Sequence, residues 1–127
     1  MSNKSIGKKI WAIADGYIPP ESHGPQPEML SHETVSILNS SDEEARVELT
    51  VYYSDREPAG PYILTIAPRR VIHQRFNDLD DPEKIPLGTD YACVIRSDIP
   101  VVVQHTRLDS RQAENALIST IAFSSSE

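Results

Sequence analysis

The chain has 127 residues, 12 Lys and Arg against 19 Asp and Glu, a formal net charge of −7 and one cysteine. That length makes one domain that buries roughly two-thirds of its unfolded surface without staples. The charge opposes neutralisation of phosphates, so nucleic acid and an anionic membrane surface are disfavoured as partners, and no apolar run approaches the roughly 20 residues of a bilayer span.

Residues 1–5 are expected to fray. No apolar leader segment follows them, and the single Cys93, set in an apolar run, excludes an internal disulfide, so a cytoplasmic protein is expected. Ile6 to Ala14 reads as a first strand, punctuated by Asp15-Gly16. Residues 17–31 hold Pro19, Pro20, Pro25, Pro27 and Gly24, which exclude helix and central strand. A loop this long is usually functional or interfacial, because ordering it costs entropy.

His32 to Asn39 forms a second strand, with Val35 and Ile37 on one face and Thr34, Ser36 and Leu38 on the other. Ser40 to Glu44 is a turn. In Ala45 to Tyr53, Val47, Leu49 and Val51 alternate with Glu48, Thr50 and Tyr52, the pattern of a half-buried antiparallel strand closing a hairpin. Further strands are predicted over 62–66, 69–77, 91–96 and 100–107, the last two separated by a Ser97-Asp98 turn. Residues 78–88 form an acidic loop. Residues 109–117 are compatible with a helical turn, and 116–124 with a last strand; 124–127 are expected to fray. About eight short antiparallel strands, with the ten prolines at breaker positions, give an all-β fold, a single β-sandwich or jelly roll spanning 1–127.

Two His-x-Arg pairs stand out, His73-Gln74-Arg75 and His105-Thr106-Arg107. Residues two apart on a strand share a face, so each pair sets an imidazole beside a guanidinium, a donor set suited to carboxylates or sugar hydroxyls. Pairing with the acidic excess, such as Asp78, Asp80, Asp109 or Glu33, is the plainer reading and outweighs ligand binding. The polar run from Gln104 through Asp109 and Arg111 to Asn115 follows directly on the apolar Val101–Val103. It must find partners within the subunit, across an interface or on a ligand, because an unpaired buried polar group costs about 1–3 kcal/mol. With Asn77 and with Trp11 beside the Pro-rich loop, these residues are the candidate ligand or partner contacts. His32, His73, His105 and Glu33 lack the spacing of a zinc signature. There is no nucleophile elbow and no Gly-rich phosphate loop, so neither catalytic residues, a metal nor a cofactor is expected.

Several blocks are distinctive: Trp11 to Pro20 (WAIADGYIPP), His32 to Asn39 (HETVSILN), Tyr52 to Asp55 (YYSD), Gly60 to Tyr62 (GPY), Arg75 to Asp78 (RFND) and Val102 to Asn115 (VVQHTRLDSRQAEN). Together they resemble the sensory rhodopsin transducer family over roughly residues 6–123. The resemblance implies a cytoplasmic all-β homotetramer. It implies a signalling role rather than an enzyme, by docking on the cytoplasmic face of a microbial sensory rhodopsin. Members also look like sugar-binding β-sandwich proteins, so a module that binds a small sugar or sugar acid, without a rhodopsin partner, is the alternative. The acidic balance suits a receptor whose cytoplasmic loops are rich in Lys and Arg.

Overall fold

Alternation decides which side of each strand is buried, and the strands form where the alternation is clean. The computed structural model describes residues 6–27, 29–112 and 116–126. Its strands are β1 (Lys8–Tyr17), β2 (His32–Asn39), β3 (Ala45–Tyr53), β4 (Ala59–Ile66), β5 (Arg70–Arg75), β6 (Asp90–Asp109), β7 (Ala116–Ile121) and β8 (Phe123–Ser125). One 3-10 turn, Phe76–Asp78, follows β5. All pairings are antiparallel and, among the described residues, no helix is long and apolar enough to cross a membrane.

The expected turn at Ser97-Asp98 does not form. Residues 90–109 run as one 20-residue strand that serves two sheets. Its first half lies between β3 and β1, giving the order β4-β3-β6-β1-β8; its second half lies between β2 and β7, giving β5-β2-β6-β7. Pairing with β3 ends at Ser97 and pairing with β2 begins at Val102, opposite Leu38, while the β1 ladder has a gap between Arg96, opposite Ile10, and Val101, opposite Lys8. Pro100 sits in that gap, where its missing N–H removes nothing from either ladder. Local side-chain bonds hold the crossing: Asp98 Oδ1 accepts from the Arg46 N–H at 2.9 Å and Ser97 Oγ from the Ile99 N–H at 3.4 Å.

The sheets face each other across one core. Trp11, Ile13, Val47, Leu49, Val51, Cys93 and Ile95 come from the first, Val35, Ile37 and Val103 from the second, and Val101 from the crossing between them. Trp11 belongs to this core rather than to the Pro-rich loop, with its Nε1–H shared between the Lys8 and Val101 carbonyls at 3.0 Å each. The last predicted strand is split. Buried Ala122 donates to the Val103 carbonyl at 3.1 Å, and the chain crosses there from β7 in one sheet to β8 in the other. Asp109 and Ala116 are strand residues where a helical turn was expected, and Ala113 to Asn115 lie outside the described residues.

The loop after β1 is tied down by serines. Ser110, fully buried at the end of β6, donates from Oγ to the Met29 carbonyl at 2.5 Å, and its N–H donates to Ser31 Oγ at 2.9 Å. Ser31 Oγ also lies 2.8 Å from the Glu21 carbonyl, and Asn77 donates to the Ser31 carbonyl at 3.0 Å. These bonds replace the ladder that a proline-broken segment lacks.

Candidate functional site

Glu33 is the third inward position of β2 counted back from Ile37, and it is 0% exposed. A carboxyl group there has to be hydrogen-bonded, since an uncompensated buried charge is among the most costly features a fold can hold. The register supplies its partners. Arg107 stands directly opposite Glu33 on β6, and His105 stands opposite Val35, one inward step away. Glu33 Oε1 lies 2.6 Å from His105 Nε2, and Oε2 accepts from Arg107 Nε. From the other sheet, the Tyr91 hydroxyl donates to Oε1 at 3.4 Å.

The surroundings keep this cluster in place. Tyr91 packs on Phe76 with ring centroids 5.3 Å apart. Gly16 lets β1 pass against the Tyr91 ring, where an added Cβ would lie 2.5 Å from it. A bulge in β1 between Ile13 and Gly16 presents Asp15, as bulges beside sites commonly re-aim a residue. The Asp15 carbonyl accepts from Arg107 Nη2 at 3.2 Å, and its exposed carboxyl lies 3.6 Å away. Burial works to lower the Arg107 pKa, but the bond to Glu33 and the charges of Glu33 and Asp15 outweigh it and hold the guanidinium above its ordinary value. Burial, and then the Glu33 charge, push the Tyr91 phenol far up.

A cleft of about 310 Å³ opens beside the cluster, between β1 and the β7–β8 segment. His105, Arg107, Asp15 and Thr120 provide its polar part; the rest is apolar, chiefly Ala12, Ile13, Ile118, Ile121 and Phe123. Among the described residues, no three or more of His, Cys, Asp and Glu are grouped so as to hold a metal ion.

The two His-x-Arg pairs do not make one surface. β2 lies between their strands, and the register sets Gln74 and His105 opposite Val35 but His73 and Gln104 opposite Ser36. His105 and Arg107 therefore face inward while His73 and Arg75 face outward on the same sheet. His73 Nδ1 is 2.8 Å from Ser36 Oγ, and Arg75 Nη1 donates to the Pro27 carbonyl at 3.1 Å. The run from Gln104 divides in the same way: Gln104 points out and donates to Ser119 Oγ at 2.8 Å. Asp109 and Arg111 pair with each other at 2.6 Å, with the Arg111 guanidinium 5.8 Å from the Tyr17 ring centroid. Asn77 is a brace between loop and β2, since its Oδ1 accepts from the Glu33 N–H at 3.3 Å. Glu114 and Asn115 lie outside the described residues.

Asp15 and Tyr91 were not legible as site residues, because a bulge and a contact between sheets create their roles. Glu33 stands among the acidic partners expected for the His-x-Arg pairs, and its inward position, on a strand whose other inward residues are Val35 and Ile37, is the signal that singles it out.

Comparison with known proteins agrees with this architecture. The family model described as Anabaena sensory rhodopsin transducer matches residues 6–124. A solved structure of the Anabaena sensory rhodopsin transducer is 57% identical, with a TM-score of 0.71 over 81% of this chain and 99% of that one. A crystal structure of Thermotoga maritima 1070 is 32% identical, with a TM-score of 0.84 over 94% of this chain and 96% of that one. No curated protein sequence matches. A family match spanning residues 6–124, nearly every described residue, and 57% identity to a solved member lead to one assignment: the chain belongs to the Anabaena sensory rhodopsin transducer family.

Proposed function

We propose that this protein is a non-catalytic signalling module. In this reading it docks on the cytoplasmic side of a microbial sensory rhodopsin, relays the light signal, and works as a homotetramer in the cytoplasm. The observation that carries the reading is family membership, at 57% identity to a protein named as a sensory rhodopsin transducer. The formal charge of −7 supports it, because cytoplasmic loops of membrane proteins are enriched in Lys and Arg and complementary charge speeds and orients encounter. The exposed apolar side chains Val71, Leu87 and Leu117, at 50–68% exposure, give copies of the chain something to cover.

The test is calorimetric titration of the protein into a sensory rhodopsin in detergent, at low and at physiological salt. Saturable binding that weakens as salt rises is expected. Absence of heat and of co-elution at both salt concentrations would overturn the docking role. Light scattering coupled to gel filtration tests the tetramer separately, and a monomeric mass at micromolar concentration would remove it.

A further inference from the structure

The cleft beside Glu33 has chemistry that a contact surface alone does not need. Its floor residues are each half used. His105 Nε2 is engaged by Glu33, while Nδ1 makes no hydrogen bond among the described residues. Arg107 gives Nε to Glu33 and Nη2 to Asp15, while Nη1 makes no hydrogen bond among the described residues. With its proton on Nε2, toward Glu33, a neutral imidazole presents a lone pair at Nδ1. The floor thus offers one acceptor and one donor, and the walls are apolar except for Thr120, whose hydroxyl donates to the Ile121 carbonyl at 3.3 Å.

We propose that this cleft binds a small neutral alcohol or phenol, its hydroxyl donating to His105 Nδ1 and accepting from Arg107 Nη1, and its apolar body lying against Ala12, Ile118, Ile121 and Phe123. The volume, about 310 Å³, is at the small end of ligand sites, which run from about 300 to 1,000 Å³. Ile118, Ile121 and Phe123 are 60%, 59% and 72% exposed in the free protein, so covering them removes apolar surface from water.

Other head groups fit less well. Glu33 and Asp15 already set two acidic groups against one guanidinium, and a carboxylate would place its second oxygen against the Nδ1 lone pair. A sugar would press hydroxyls against apolar walls, where each unpaired polar group costs about 1–3 kcal/mol. This departs from the sugar or sugar-acid ligand that the family resemblance implies. It is independent of rhodopsin docking, which the cleft neither requires nor forbids.

The test uses three probes of one shape: p-cresol, p-xylene and p-toluate. Each is titrated into the isotopically labelled full chain and followed by amide and imidazole nitrogen resonances. p-Cresol should give saturable shifts at residues 12–15, 105, 107 and 118–123 and move the His105 Nδ1 resonance. It should bind at least tenfold more tightly than either other probe. Ala12→Leu, which fills the cleft without touching its floor, should weaken p-cresol at least tenfold. Ile118→Ser, at an exposed wall position that tolerates a polar residue, should do the same if Ala12→Leu fails to fold.

Equal affinity for p-xylene would overturn the hydroxyl assignment, and tighter binding of p-toluate would replace it with an anion site. Binding of none of the three would overturn the ligand site altogether. So would the same amide shifts appearing on self-association without any probe, which would make the cleft a socket for a second copy.

Discussion

Glu33 Oε1 and His105 Nε2 lie 2.6 Å apart on neighbouring strands, 72 residues apart in the chain, with the glutamate side chain wholly buried and the histidine nearly so. Neither side chain reaches water in a way that would satisfy it alone, so each makes the other's position tolerable. Arg107 completes the arrangement from the same strand as His105. The link between β2 and the second half of β6 therefore rests on polar chemistry as well as on Val35, Ile37, Val101 and Val103.

Removing the glutamate charge should be costly. Glu33→Gln leaves the Arg107 guanidinium without its buried partner, and a loss of about 3 kcal/mol in urea unfolding is expected, as for other broken buried pairs. Trp11, the single tryptophan and buried in the core, reports the transition by fluorescence. Adding Arg107→Leu should restore part of the loss, giving a coupling energy of about 1–3 kcal/mol. Additive single and double variants would show that the pair contributes nothing specific.

At alkaline pH, Tyr62 should matter. Its hydroxyl donates to the Glu83 carbonyl at 2.7 Å, and burial, with the neighbouring Tyr53 and Glu83, pushes its pKa from 10.0 up to about 12. A folded pKa above the unfolded one favours the protonated folded state. This contribution is complete below pH 10 and is lost as pH rises from 10 to about 12. Ultraviolet titration of native protein should show Tyr62, Tyr53 and Tyr91 still un-ionised where unfolded tyrosines have titrated. Tyr62→Phe should flatten the fall in stability over that interval.

Cys93 should be inert while the protein is folded. Burial in the core pushes its thiol well above the ordinary value, and the thiolate is the reactive form. A disulfide reagent at pH 8 is expected to label it only at the rate of opening, and the rate should rise with urea in step with unfolding. Rapid stoichiometric labelling of native protein would contradict the burial.

Ser110→Ala should loosen the Pro-rich loop without unfolding the sandwich. The change removes the hydroxyl that donates to the Met29 carbonyl and contacts Ser31 Oγ at 3.0 Å. Limited proteolysis within residues 18–31 should speed up by about tenfold, the equivalent of one lost hydrogen bond of roughly 1.4 kcal/mol. Unchanged cleavage would mean that Ile18 and the Asn77 brace hold the loop by themselves.

The acid limb reports on Asp109. The Arg111 guanidinium beside it holds its carboxyl below the ordinary 3.8. A depressed folded pKa stabilises above pH 3.8 and loses that contribution as pH falls through the folded value. The pair is partly exposed, so Asp109→Asn should cost under about 1 kcal/mol at pH 7 and less than that at pH 2. Urea unfolding at the two pH values measures the difference.

Local chemistry alone determined much of this protein. Alternation in Thr34–Leu38 and Ala45–Tyr53 specified which faces are buried, because a strand has only two sides. The prolines in 18–31 specified a loop, because they remove donors and fix φ. The blocks from Trp11 to Asn115 pointed to the family that the wider comparison established. What the sequence could not decide was every choice made between strands. Ser97-Asp98 reads as a turn until β3, β1 and β2 are in place to pair both halves of β6. The two His-x-Arg pairs look equivalent until β2 runs between their strands and the register turns His105 and Arg107 toward Glu33 and His73 and Arg75 away from it. Asp15, Tyr91 and the cleft are products of a bulge and of contact between sheets. Each of these depends on partners tens of residues away, and only the packed structure brings those partners within the few ångströms over which a hydrogen bond or a clash can act.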